Sequence, residues 1–465
     1  MRKEDSNKFR ATVSLLIGLI VLGYSSRDLT AQQHPPSECE DLKKLIKKQE
    51  ATRIQDQKAL NNCLAHQGSC SQFLIDDLNN SIGLLDEEII SLLMDYTSCN
   101  VLQIPERSNW IPLAPEGRPA KRWEHKSVYD APSNRMIMFG GKIPSTDYAD
   151  DVWVLQHANG LDGNPVWIQL RPEGRAPMGR HMHTAVYDPT NNRMIVFGGH
   201  AGAAGAGGNF LADVWLLKNA NGLGGAPAWV QLETTGMPPA GREWHTAVYD
   251  AASNRMIIFG GVAVAIGNAN DVWVLKNANG LGGTAAWVQL NPTGAPPARR
   301  AGHTVVYDAA SNRMVLFGGG GGQGPPFFND VWVLEHANGL GGNPSWIQLN
   351  QTGTPPSVRE DHTAIYDTAK NQMVVFGGWQ TAGVNQFYFN DVWMLKNANG
   401  LGGIPEWGQF SPAGTPPSAR ELATAVYDLN SNRMIVFGGS YSPNDPPNCG
   451  SGACTNDVWV LSHVP

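Results

Sequence analysis

The chain has 465 residues, 42% of them hydrophobic, with 52 glycines and 31 prolines. That apolar content excludes a disordered chain, and so much glycine and proline fits a fold rich in tight turns. The formal net charge of −7 is mild, and no Lys/Arg block appears in the repeats described below, which leaves no nucleic-acid footprint.

At the N-terminus, Arg2, Lys3, Lys8 and Arg10 surround the start of an apolar run from Ala11 to Tyr24. About 14 apolar residues suit a secretory signal and fall short of the ~20 needed to span a bilayer. The small residues of Leu29-Thr30-Ala31 mark a cleavage site, so residues 1–31 are read as a signal peptide. An uncleaved anchor is the alternative. The expectation is a secreted or periplasmic protein without a membrane span in the mature chain.

Residues 32–104 change character. Ser37 with Glu40, and Ser69 with Gln72, read as capping boxes at two helix starts. Leu74, Leu78, Ile82, Leu85, Ile89 and Leu93 place an apolar stripe on one helical face. The turn around His66-Gln67-Gly68 makes the two helices an antiparallel hairpin. Cys63 and Cys70 flank that turn, and Cys39 and Cys99 sit at the far ends. Of the three pairings four cysteines allow, only Cys63–Cys70 with Cys39–Cys99 staples both ends without crossing. The hairpin also offers a surface for self-association.

From residue 105 to 465 the chain repeats itself. The unit is clearest from Arg242 to Leu290, where four short β-branched or aromatic runs are bounded by Gly, Asn or Asp, as in a four-stranded meander. A Tyr-Asp pair marks six copies, at Tyr129, Tyr187, Tyr249, Tyr307, Tyr366 and Tyr427. Such periodicity, with four short strands and no helical period, points to a β-propeller. The second strand of each unit is apolar on both faces and ends in Phe-Gly-Gly.

These elements resemble the Kelch-repeat β-propeller family: the Gly-Gly doublet, the third-strand aromatic (Trp153, Trp215, Trp273, Trp332, Trp393, Trp459) and a Trp opening the fourth strand, six times in register. The resemblance implies an all-β fold, a six-bladed propeller. One departure is a lengthened turn between third and fourth strands, as in Asn277 to Gly283. The sixth unit lacks a fourth strand, and Trp110-Ile111-Pro112-Leu113 carries the fourth-strand pattern ahead of the first. The N-terminal strand is therefore expected to complete the last blade and close the ring.

What recurs in every blade is expected to be scaffold. Arg-x-x-His opens five units, from Arg122/His125 to Arg359/His362, and the sixth has Arg420 with Ala423. Five histidines at blade spacing cannot converge on one ion, so they are read as hydrogen-bonded to neighbouring backbone. The Asp of Asp-Val-Trp is read as a turn residue. No metal or cofactor is expected.

What varies is expected to be site. After each Arg, and after each Gly-Gly, stand Trp123, Glu124, Lys142, His181, His200, Glu243, Trp244, Glu360, Trp379 and Glu421. In a propeller these gather at one axial mouth as candidate ligand-binding residues. The long loop of the sixth unit holds Cys449 and Cys454, read as a disulfide rather than half of a zinc site.

Two function classes follow. The first is an interaction module taking a protein or carbohydrate partner on its loop face. The second is a metal-independent sugar-directed enzyme, similar to the sialic-acid mutarotases among Kelch propellers, with Glu243, Glu360 or Glu421 as acid or base. The copper-radical oxidases of the same family need a tyrosine–cysteine crosslink, whereas all six cysteines here have disulfide-like placements. No motif singles out one catalytic residue.

Overall fold

A computed structural model describes helical residues at 44–45, 47–49, 51–52, 54–59 and 80–82, and residues 108–464 apart from 145–147, 203–208, 323 and 442–453. The signal peptide, the hairpin turn, Cys39, Cys63, Cys70, Cys99 and Cys449 lie outside the described residues. The chain divides into two units, Met1–Glu106 and Arg107–Pro465. In the first, Ser81 Oγ donates to Asp56 Oδ2 at 2.7 Å, and Ile82 is buried. Among the described residues no helix is long and apolar enough to cross a membrane.

The second unit is β throughout. Its first sheet is the antiparallel meander Lys126–Asp130, Arg135–Phe139, Val152–Gln156 and Val166–Leu170. The same succession recurs in the following repeats. In the last sheet, Thr424–Asp428, Arg433–Phe437 and Val458–Ser462 supply three strands. The fourth is Asn109–Leu113, antiparallel to Val458–Ser462 with Trp110 opposite Leu461. Trp110 also packs its ring on Phe376 at 5.1 Å, the relation that Trp167 has with Phe437 at 4.9 Å.

The second strands hold the core. Met256, Ile257, Ile258 and Phe259 are fully buried, because one face packs on the preceding sheet and the other on the following one. This explains why these strands are apolar without alternation. Gly261 follows at φ +85°, and a Cβ there would stand 2.5 Å from the Glu243 carbonyl oxygen. The doublet thus lets the strand end lie against the segment that carries the site.

Three side-chain systems recur from repeat to repeat, the first within each repeat and the other two between neighbours. First, the recurrent Arg, buried in all six repeats, pairs with the Asp of Asp-Val-Trp at 2.6–2.8 Å. The following Trp indole donates to the same carboxylate, as Trp273 does to Asp271 at 2.7 Å. That Asp is therefore the counter-ion of a buried guanidinium, not a turn residue. Second, four of the five His lie against a hydroxyl of the preceding repeat, and three of these, His245, His303 and His362, also hydrogen-bond its backbone, at Phe197, Phe259 and Phe317, as expected. His245 meets Thr184 and His125 meets Thr424, both at 3.0 Å, while His303 meets Thr246 and His362 meets Thr304, both at 2.8 Å. Burial and the nearby Arg hold these imidazoles below their usual pKa, so they are neutral. Third, the lengthened turn carries a buried Asn that donates to the Tyr-Asp carboxylate of the preceding repeat, as Asn279 does to Asp188 at 2.6 Å. The extra residues in that turn thus lengthen a strap between sheets.

Candidate functional site

The segment after each recurrent Arg builds the mouth. Its first residue pairs antiparallel with the residue after Gly-Gly: Trp123 with Lys142, His181 with His200, Glu243 with Val262, Glu360 with Trp379, and Glu421 with Ser440. Its second residue is left-handed: Glu124, Met182, Trp244, Asp361 and Leu422 lie at φ 52–58°, and Gly302 at 60°. These six residues form a closed cycle of backbone hydrogen bonds. Met182 N–H donates to Glu124 C=O, Trp244 to Met182, Gly302 to Trp244, Asp361 to Gly302, Leu422 to Asp361, and Glu124 to Leu422, at 2.8–3.4 Å.

Inside that cycle lies a cavity of about 220 Å³, lined by the six left-handed residues and by the first strands below them. The residue after the His points the wall chemistry: Thr184, Thr246, Thr304, Thr363 and Thr424 in five repeats, Lys126 in the other. Burial pushes the Lys126 ammonium below its usual pKa, and Asp361 and Glu124 oppose that shift. With Lys126 in place of a threonine, His183 has no hydrogen-bond partner among the described residues. Lys126 is a mouth residue that the sequence reading missed. Its one signal is that it alone breaks the His-Thr dipeptide, or the Ala-Thr of the sixth repeat.

The mouth has two chemically distinct halves. On one side, buried Glu124 stands 2.6 Å from His181 Nδ1 and 3.1 Å from Lys142 Nζ, and its Oε1 accepts from Lys142 Nζ at 3.4 Å. Burial opposes ionisation of Glu124, but His181 and Lys142 outweigh it and hold the carboxyl below its usual pKa. His181 Nε2 lies 3.2 Å from His200 Nδ1, and Tyr148 packs over His181 with ring centroids 4.3 Å apart. Glu243 completes this half. Burial, and then the Glu124 charge, push its carboxyl up to about 7, against the pull of Lys142.

On the other side, Glu360 is fully buried and accepts from Gly324 N–H at 3.0 Å. The Trp379 indole donates to Asp361 at 3.2 Å and lies beside Phe327 and Tyr388. Burial pushes Asp361 up to about 7. Glu421 is raised well above the carboxylate range by burial and by Asp361, Glu124 and Glu360. Five carboxyl groups thus stand around one mouth.

The expected site residues therefore gather around one feature but differ in exposure. Trp244 lines the cavity. Trp123 is buried against Cys454 and Leu422, and Trp379 is buried among its aromatic neighbours. Neither offers an open ring face. Asp361, which directly follows Glu360 among the variable positions after the recurrent Arg, lies at the mouth as expected. Lys126, Tyr148 and Phe210 belong to the mouth and were not among the expected residues.

Residues 95–223, 225–396 and 340–464 match the KLHDC2/KLHL20/DRC7 Kelch-repeats domain family. The chain is similar to host cell factor 2 of Homo sapiens, 29% identical over 283 residues that cover 57% of this chain and 31% of that protein. It is similar to Adagio-like protein 3 of Oryza sativa subsp. japonica, 27% identical over 341 residues, covering 72% of this chain and 47% of that one. The leucine-zipper-like transcriptional regulator 1 homolog of Drosophila melanogaster is 29% identical over 290 residues, 61% of this chain and 26% of that one. The chain spans less than half the length of each of these relatives.

Proposed function

The chain belongs to the Kelch-repeat family, and from that premise we propose that it is an interaction module holding a protein partner over its axial mouth. The observation that carries this reading is an acidic mouth beside an apolar rim. The hairpin leading from Val262 exposes Val264 and Ile266, and the hairpin leading from Trp379 exposes Val384 and Phe387. These apolar tips sit on the strands that pair with the segments carrying Glu243 and Glu360. A partner loop with a Lys or Arg would place its cation among Glu360, Asp361 and Glu421, and its apolar flanks on the rim. Asp361 and Glu421, whose carboxyls burial raises, ionise more readily once that cation arrives. Loops on a rigid scaffold are where such binding resides.

A carbohydrate partner, or metal-independent turnover of one, draws less support, since Trp123 and Trp379 are buried and offer no open ring face. The same proposal takes the six sheets as blades of one ring latched by Asn109–Leu113; the closed hydrogen-bond cycle supports it. Export rests on the N-terminal sequence, and the disulfide assignments rest on cysteine spacing.

The experiment is retention of partners from the native host's extract on immobilised full-length chain. It is run against two variants, Val384→Asp with Phe387→Asp, and Glu360→Gln with Glu421→Gln. A protein retained by the parent and lost from both variants, with dissociation hastened by salt, supports the reading. Proteins retained equally by all three, or binding of a glycan panel instead, would overturn it.

A further inference from the structure

The geometry points to a binding site for a first-row divalent cation, of the zinc class, formed by His181, His200 and Glu243. The ligand atoms of these three residues lie within 4.8 Å of one another. His181 Nε2 and His200 Nδ1 are 3.2 Å apart. A tetrahedral ion with bonds of ~2.0–2.1 Å places neighbouring ligand nitrogens about 3.3 Å apart, so the two imidazoles already stand at the edge length of such a polyhedron. Two histidines and one glutamate leave a fourth position, as in zinc sites that keep an open coordination place.

The second observation is independent of the ligand set. Glu124 Oε2 stands 2.6 Å from His181 Nδ1, a buried carboxylate beside one ring nitrogen that favours a proton there, while the other, Nε2, faces His200 as the ligand atom. Metal-bound histidines are commonly oriented by a carboxylate in this way. Lys142 Nζ, 3.1 Å from the same carboxylate oxygen, anchors Glu124 in turn and neutralises its charge. Tyr148 packs its tilted ring on His181, and Phe210 sets its edge against His200 at 5.5 Å. Without metal, a proton bridges His181 Nε2 and His200 Nδ1; on metal binding that proton leaves and the ion takes its place.

The site is peculiar to one part of the ring. Histidine follows the recurrent Arg, and follows Gly-Gly, only in the second repeat; the third supplies Glu243. The scaffold's own work is done by the Arg-x-x-His histidines, and His181 and His200 are outside that set.

The test uses full-length chain stripped with a chelator. Zn²⁺ is titrated calorimetrically, and Co²⁺ serves as a spectroscopic probe. One ion per chain is expected, with visible Co²⁺ bands of four- or five-coordinate intensity. His181→Gln and His200→Gln should each weaken binding by at least about 100-fold. Glu124→Gln, which removes a positioning residue, should weaken it by about 10- to 100-fold and shift the Co²⁺ bands. His200 is half-exposed, so His200→Gln keeps the test open if His181→Gln does not fold. No binding, or binding unchanged in both histidine variants because the ion sits elsewhere in the chain, would overturn the assignment.

Discussion

Thr424 Oγ1 and His125 Nε2 meet at 3.0 Å, although 299 residues separate them in the chain. The contact joins the last repeat to the first with the same bond that joins Thr184 to His245 and Thr246 to His303. A buried neutral imidazole stripped of its partner costs ~1–3 kcal/mol. Thr424→Val should therefore lower the denaturation midpoint by that order, about as much as Thr246→Val. If Thr424→Val proves neutral in urea unfolding of the full chain while Thr246→Val does not, the first and last repeats are not joined as the interior ones are.

The repeat pattern was legible because each scaffold task is written six times. Partner assignments were less so. Arg242 and His245 are neighbours in sequence, yet the Arg reaches Asp271 in its own repeat and the His lies beside Thr184 of the one before. Sequence proximity made them look like one motif, and only three-dimensional packing separates their tasks. The mouth was legible as a set of variable positions. Its division into halves was not, because it depends on which left-handed residue stands beside which. Lys126 was lost for a related reason: a lysine after a histidine reads as surface, and only the sheet geometry turns it toward the axis.

Removing one partner of a buried ion pair should cost more than removing a hydroxyl. Arg242 is fully buried, and Asp271 is held below its usual pKa chiefly by hydrogen bonding and charge from Arg242, despite its own burial. Asp271→Ala leaves that guanidinium uncompensated and also strips the Trp273 indole of its acceptor. A loss of ~3–5 kcal/mol is expected, with no rescue by Arg242→Lys, which leaves a buried cation just as uncompensated. Unfolding midpoints of the two single variants and the double variant check this; a loss below ~1 kcal/mol for Asp271→Ala would contradict it.

Stability should fall as pH rises from about 4 to 7 through Asp361. Its carboxyl is raised to about 7 by burial and by the charge of Glu124, while the Trp379 indole and Lys126 pull the other way; Glu421 stands beside it. The folded chain keeps a proton there that the unfolded chain releases near pH 4, so the contribution is complete below ~4 and lost as pH passes 7. The slope from one such group reaches at most about 1.4 kcal/mol per pH unit. The Asp partners of the buried arginines act oppositely, since their lowered pKa values give stability that is lost on acidification below the usual carboxylate range. Asp361→Asn should reduce the slope between pH 5 and 7, Glu243 and Glu421 keeping the remainder, and leave the acid limb intact. An unchanged profile would show that the mouth carboxyls are not shielded as their surroundings indicate.

Ala423 occupies the place that histidine holds in the other five repeats, next to Thr363 in the repeat before. Elsewhere that histidine sets its edge on the Phe of the preceding second strand, as His362 does on Phe317 at 5.1 Å. Ala423→His would bring an imidazole to Phe376 and a ring-nitrogen partner to the Thr363 hydroxyl, adding a fifth copy of the bond to the four present. The backbone is already suited to it: a Cβ at Gly439 would crowd Ala423 at 3.0 Å, as one at Gly378 would crowd His362 at 2.8 Å. A new buried hydrogen bond with edge-on aromatic packing is worth ~1 kcal/mol. The expected result is a small rise in the urea midpoint, absent in Ala423→Phe, which fills the same space without a ring nitrogen. If Ala423→His destabilises instead, the alanine is needed for the strand of residues 109–113 to seat beside the last repeat, and the sixth sheet differs from the others by necessity.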